Sequence, residues 1–249
     1  MKVLAVIPAR YLSTRFPGKP LAPILGKPMI QWVWERTLSV PGLCRVLVAT
    51  DDERIAAVVT GFGGEAVMTS PGCPSGSDRV WEAVRGEDWD LVLNLQGDEP
   101  ALNPAGITAL VAAMARDERA QMGTLVTAIR ERSEFENPNV VKAVLDGAGR
   151  CLYFSRSPVP FPRGRGFGEA ELWRHVGVYA FRKEFLAAFV SWPKGRLEEV
   201  ESLEQLRALE RGAFVIATRV EWPGCAVDVP EDIAAAEAFL LQERRQVVP

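Results

Sequence analysis

The chain has 249 residues, 48% of them hydrophobic and 24% charged, with a formal net charge of −3. That length can bury a substantial core as one large α/β domain or two smaller ones, and the mildly acidic balance excludes a general affinity for nucleic acid or anionic membrane. Any phosphate binding must therefore rest on local positive charge. No stretch reaches the roughly 18 apolar residues of a membrane helix, and no basic leader precedes an apolar segment, so a cytoplasmic protein without membrane insertion is expected. Cys44, Cys73, Cys151 and Cys225 are widely spaced and His175 is the only histidine. This argues against a zinc centre and against Ser-His-Asp chemistry.

Val3 to Ile7 is an apolar run that opens into the loop Pro8 to Pro20. It reads as a central strand, and ligands of open α/β sheets collect beyond the carboxyl ends of such strands. Arg10, Arg15 and Lys19 on that loop suit a polyanion, although a basic surface loop would read the same way. Pro28 fits the first position of a helix carrying Met29, Ile30, Val33 and Trp34. A strand over 45–50, a helix capped by Asp51 or Asp52, and a short strand over 65–69 follow.

Pro74-Ser75-Gly76-Ser77-Asp78-Arg79 then opens a helix with small side chains and free amides, which suits a phosphate or a base as well as plain capping. A strand over 89–95 ends at Gln96-Gly97-Asp98-Glu99-Pro100, and Asn103-Pro104 starts the next helix. This alternation predicts an α/β fold with a parallel sheet covered on both faces. Asp98 at a strand end suits Mg²⁺, which takes oxygen donors and keeps waters and phosphate oxygens; a turn aspartate is the alternative.

The stretch 123–182 differs, with strands expected over 124–129, 140–145, 151–154 and 175–181 and a hairpin turn at Asp146-Gly147. Residues 175, 177 and 179 share one strand face, so His175 and Tyr179 can line one pocket. Pro158 to Gly168 is too rich in Pro and Gly for a regular element, and Gly164, Gly166 and Gly168 lack the strand that a dinucleotide motif needs. A helix near 202–210, a strand near 214–218 and a last helix from Pro230 return the chain to α/β. Asp228 precedes that helix as a second carboxylate, while Glu231 and Asp232 read as first-turn acids. The expected organisation is one domain over 1–249, with a first half over 1–122, a β-rich region over 123–182, and a return to the α/β core over 183–249.

With Ile7 to Tyr11, Ser13 to Arg15, Pro17 to Pro20, Gly26 to Ile30, Val48 to Asp51, Gln96 to Pro100, Asn137 to Asn139, Tyr153 to Arg156, Arg174-His175, Leu203 to Arg207 and Val227-Asp228 in this order, the chain resembles the 3-deoxy-manno-octulosonate (Kdo) cytidylyltransferases, or CMP-Kdo synthetases, over essentially its whole length. The resemblance implies a Rossmann-like three-layer sandwich of the nucleotide-diphospho-sugar transferase type, with a mixed, mostly parallel sheet and a smaller β-rich extension. It implies transfer of CMP from CTP to the anomeric 2-hydroxyl of Kdo for lipopolysaccharide assembly, with Mg²⁺ as cofactor and a homodimer as the working form. Arg10, Arg15 and Lys19 would then hold the triphosphate, with Pro8, Ala9, Ser75, Gly76 and Arg79 also on the nucleotide side. Asp98 and Asp228 would bind Mg²⁺, and Gln96, Arg156, His175, Tyr179 and Glu201 would surround the acid sugar. The chain departs from the family pattern at Pro74, where glutamine is common, and at Glu199, where histidine is frequent. A nucleotidyltransferase acting on another acid sugar or a sugar 1-phosphate, and an anion-docking protein without activity, are the alternative readings.

Overall fold

The computed structural model describes residues 1–12, 15–163, 167–222 and 225–247. The chain forms two compact units, one of residues 1–105 with 223–249 and one of residues 106–222.

The first unit begins with β1 (Val3–Ala9), followed by a 3₁₀ turn (Lys19–Leu21), the short ribbon β2 (Pro23–Ile24) and β3 (Lys27–Pro28), and α1 (Met29–Leu38). Then come β4 (Arg45–Thr50), α2 (Glu53–Gly61), β5 (Ala66–Met68), α3 (Gly76–Val84) and β6 (Leu91–Asn94). The strands run in the order β6-β1-β4-β5 and every pairing is parallel. Leu4, Ala5, Val6 and Ile7 have no solvent exposure, as expected for a strand with neighbours on both sides. β1 continues through Pro8 and Ala9, which pair with Ala49 and Thr50, so both belong to the strand rather than the loop. Proline is tolerated because β6 pairs with β1 only as far as Asn94 opposite Val6, leaving no ladder acceptor on that side for the missing N–H.

Asp52 is the residue that caps α2, its Oδ1 accepting from the Arg54 amide at 3.0 Å. Ser75 caps α3: its Oγ accepts from the Asp78 amide and donates to Asp78 Oδ2 at 2.6 Å. Asn103 caps the start of α4 (Pro104–Arg116), its Oδ1 accepting from the Ala105 amide.

The second unit takes over within α4 and contains β7 (Met122–Ala128), α5 (Arg132–Glu136), β8 (Lys142–Leu145), β9 (Cys151–Ser155) and β10 (Trp173–Arg182). α6 (Lys183–Ser191), α7 (Arg196–Glu201), α8 (Leu206–Glu210) and β11 (Val215–Arg219) complete it. β11 pairs parallel with β7, whereas β7-β10, β10-β8 and β8-β9 are antiparallel. The fold is therefore mixed α/β, parallel in the first unit and β-rich in the second. Asp146 closes the β8–β9 hairpin, its Oδ1 accepting from the amides of Ala148 and Arg150. Of the Pro- and Gly-rich stretch, Gly164, Arg165 and Gly166 lie outside the described residues, as do Ser13 and Thr14 of the first loop.

Of the helix expected over 202–210, only α8 (Leu206–Glu210) is helical, and α7 is a separate helix before it. Ser202 adopts φ 52° and ψ 49° between α7 and α8, a left-handed conformation that ends a helix. In the sequence, Glu198, Glu199 and Glu201 read as a mostly solvated acidic run, yet Glu198 is buried and accepts two hydrogen bonds from the buried Arg207, at 2.7 and 2.6 Å. α9 (Asp232–Val247) returns to the first unit, where Ala236 and Leu240 pack with Ile24, Met29, Trp32 and Val227.

Candidate active site

In the first unit, the carboxyl ends of β1 and β6 and the start of α3 enclose a cleft of about 340 Å³. It is lined by Pro8, Ala9, Arg10, Arg15, Lys19, Ser75, Gly76, Arg79, Gln96, Asp98 and Asp228, together with Pro20, Cys73, Pro74 and Gly97. Every residue expected on the nucleotide and metal side thus converges on one cavity, and Gln96 joins them there.

The basic loop is held by its own chemistry. The Gly18 amide donates to the Tyr11 carbonyl at 2.8 Å, and Gly18 sits at φ 74° with its Cα against the Tyr11 ring. Arg54, held by Asp52, stacks 3.4 Å from the centre of that ring. These contacts fix both ends of the stretch that carries Arg15. Arg10 is exposed and has no hydrogen-bond or ion-pair partner among the described residues.

Two carboxylates meet at Lys19. Its Nζ lies 2.5 Å from Asp98 Oδ2 and 3.5 Å from Asp228 Oδ1, and Arg15 reaches Asp228 Oδ1 at 3.1 Å. The backbone brings the two acids together, because the Val227 amide donates to the Asp98 carbonyl at 2.9 Å. Asp232 does not merely decorate the first turn of α9. Its Oδ2 accepts from the amides of Asp228 and Val229, at 2.8 and 3.0 Å, and so anchors the segment that presents Asp228. Two converging carboxylates with waters and phosphate oxygens fit a hard divalent cation such as Mg²⁺.

Gly97 turns the chain beneath Asp98. A methyl group on it would lie 3.0 Å from the Pro8 carbonyl oxygen, so the β6 end passes directly over the β1 end. Arg79 is buried and already engaged, giving one N–H to Thr69 Oγ1 at 2.6 Å and another to Asp51 at 2.9 Å. The Cys73 thiol donates to Glu82, and burial together with that carboxylate pushes its pKa up to about 11.

In the second unit, Arg156 and Glu201 form one cluster. Glu201 accepts from Ser155 Oγ at 2.6 Å and from the Arg156 amide at 2.9 Å. The Arg156 guanidinium spans the carbonyls of Glu201, Pro138 and Ser202. Both Glu201 oxygens are thus occupied within the protein. Beneath them Lys142 is fully buried and donates to the carbonyls of Asn137 and Val140, and burial, aided by the nearby Arg156 charge, lowers its pKa. Sequence reasoning missed this lysine; a lone cation inside an apolar strand was the available signal.

His175 and Tyr179 share a face, their ring centres 5.5 Å apart, with Phe154 edge-on to the imidazole at 4.9 Å. Thr124 Oγ1 lies 3.0 Å from His175 Nε2 and within reach of the carbonyls of Val176 and Val178. Carbonyls only accept, so the threonine proton goes to them and Nε2–H is the donor of the remaining bond. Burial holds this imidazole neutral, its pKa pulled down to about 3. Tyr179 donates to Gln205 Oε1 at 3.2 Å, and the buried Gln205 Nε2 has no partner among the described residues. Gln205 is the second residue that sequence reasoning left without a role.

Comparisons with known proteins identify the family. The family model described as "Cytidylyltransferase" matches residues 4–220. The chain is 48% identical to the 3-deoxy-manno-octulosonate cytidylyltransferase of Syntrophotalea carbinolica, over 96% of this chain and 99% of the relative. It is also 48% identical to the 8-amino-3,8-dideoxy-manno-octulosonate cytidylyltransferase of Shewanella baltica, with the same coverage of both chains. The solved structure of a CMP:2-keto-3-deoxy-manno-octonic acid synthetase complexed with CTP superposes with a TM-score of 0.93 at 42% identity, covering 98% of this chain and all of that one. The chain belongs to the cytidylyltransferase family.

Proposed function

We propose that this enzyme transfers CMP from CTP to the anomeric 2-hydroxyl of Kdo, releasing pyrophosphate and forming the activated sugar used in lipopolysaccharide assembly. The observation that carries this reading is the convergence of Arg10, Arg15, Lys19, Ser75, Gly76, Asp98 and Asp228 on one cleft, in a chain similar throughout to a synthetase complexed with CTP. The cations of the loop neutralise the triphosphate, and the Ser75-Gly76 turn with Pro8 and Ala9 takes the nucleoside side. Asp98 and Asp228 would hold Mg²⁺, which when bound contributes Lewis-acid stabilisation of charge on the phosphate oxygens. The sugar hydroxyl oxygen forms the new bond to the α-phosphorus and releases its proton to water, while the bond to the bridging oxygen of pyrophosphate breaks in line. Alignment of the reactants, rather than a dedicated base, drives the step. Arg156 offers the acid sugar's carboxylate a charge-assisted partner, with Gln96, His175, Tyr179 and Glu201 shaping that side.

The equal likeness to the two kinds of relative makes 8-amino-3,8-dideoxy-manno-octulosonate the second candidate acceptor. Pyrophosphate release with CTP, UTP, dTTP and ATP against Kdo, its 8-amino analogue and sialic acid tests the reading. Fastest turnover with CTP and Kdo is expected, and turnover confined to the amino sugar or to sialic acid overturns it.

The working form is a cytoplasmic homodimer on this reading. Leu152, Phe161, Leu197 and Val200 leave large apolar side chains exposed on the second unit, and no described helix is long and apolar enough to cross a membrane. Sedimentation at micromolar concentration should give twice the mass of one chain.

A further inference from the structure

We propose that Lys19, assisted by Arg15, is an exchangeable counter-ion: in the unloaded cleft it sits on the carboxylates of Asp98 and Asp228, and on loading it yields them to the divalent cation and moves to the triphosphate. The inference rests on the reading of Asp98 and Asp228 as the metal ligands.

Three observations support it. Lys19 Nζ stands 2.5 Å from Asp98 Oδ2 and 3.5 Å from Asp228 Oδ1. It therefore occupies the space between the two acids, and a Mg²⁺ ion at its usual distance of about 2.1 Å from the same oxygens cannot share that space. Charge also balances, because Lys19 and Arg15 together carry the same charge as one divalent cation and are paired with the same two carboxylates. Exchange leaves the acids neutralised and frees two cations for phosphate. Finally, the lysine can move without its backbone. Its amide donates to the Phe16 carbonyl, and the turn it begins is closed by the Leu21 and Ala22 amides, so only the flexible four-carbon stem need swing.

Metal and nucleotide then bind with positive coupling. Either one alone must break ion pairs that the pair of ligands together replaces.

The test uses Mn²⁺ alone, followed by its EPR signal, and CTP alone in EDTA, followed by calorimetry, on the full-length protein. Lys19→Met should tighten Mn²⁺ binding at least about tenfold, since a like charge a few ångströms away is removed. The same variant should weaken metal-free CTP binding about tenfold. Arg15→Gln, at a side chain 66% exposed, should move both affinities in the same directions by less, and gives the answer if Lys19→Met fails to fold. Damage to the fold would weaken both ligands, so unchanged or weaker Mn²⁺ binding in both variants overturns the exchange. Adding Asp98→Asn to Lys19→Met should abolish the gain. If Mn²⁺ still binds as tightly, the assignment of Asp98 as a metal ligand fails, and the exchange with it; if the gain is lost, that assignment stands independently of the exchange.

Discussion

The amide of Val227 donates to the carbonyl of Asp98 at 2.9 Å. One backbone hydrogen bond thereby ties the turn after β6 to a segment more than a hundred residues later in the chain, and it places Asp228 beside Asp98. The acidic pair is a product of main-chain geometry, and side-chain substitutions within it leave its frame standing.

Asp98→Asn should consequently fold normally and lower kcat by at least about 100-fold, in line with the loss of other positioned electrostatic groups. Pyrophosphate release at saturating Mg²⁺ measures it. A fall of under threefold would remove Asp98 from the catalytic centre.

Asp232→Ala removes the acceptor of the Asp228 and Val229 amides. Loss of such charge-assisted bonds is worth about 1.5–3 kcal/mol, felt where Asp228 is held. We expect about a tenfold higher Mg²⁺ requirement for half-maximal turnover, with the apparent KM for the sugar unchanged. An effect on the sugar alone would place the role of Asp232 elsewhere.

Arg156→Ala should raise the KM for the acid sugar at least tenfold and leave CTP affinity intact. Arg156→Lys should not restore it. The guanidinium spans three carbonyls, and a single ammonium cannot reproduce that planar fork. Full recovery with lysine would mean that point charge alone suffices.

His175 has a pH signature. Its folded pKa is about 3 against 6.5 when unfolded, so between these values the unfolded chain binds the extra proton. Stability on this account is complete above about pH 6.5 and is lost as the pH falls toward 3, with a slope of at most about 1.4 kcal/mol per pH unit. Denaturant melts of the wild type and of His175→Gln should converge in slope above pH 7 and diverge below 6. Identical slopes at acid pH would show the imidazole to be solvated.

Much of the first unit was legible in the sequence because its strands are buried on both sides and read as unbroken apolar runs, as from Leu4 to Ile7. Capping signals at Asp52, Ser75 and Asn103 located its helices for the same local reason. The second unit was harder. α7 was hidden because Glu198 looks like surface charge until Arg207 is brought against it, and the break at Ser202 is a backbone event that serine does not announce. Pro8 and Ala9 were taken for loop because proline argues against a strand interior; only the early end of β6 makes room for it. Lys142 and Gln205 went unassigned because their meaning depends on burial, a property of the folded chain. Asp228 was found as a carboxylate, but its anchor Asp232 was not, since a side chain that reaches backward from a helix start has the same sequence as one that caps forward.

The approach of Gly97 to the Pro8 carbonyl oxygen has a mechanical consequence. At that point main chain approaches main chain directly, with the Ile7 and Ile30 side chains packed alongside. The segment that carries Arg10 and the turn that carries Asp98 must then shift as a single stiff lip, so that a nucleotide pulling on one sets the position of the other.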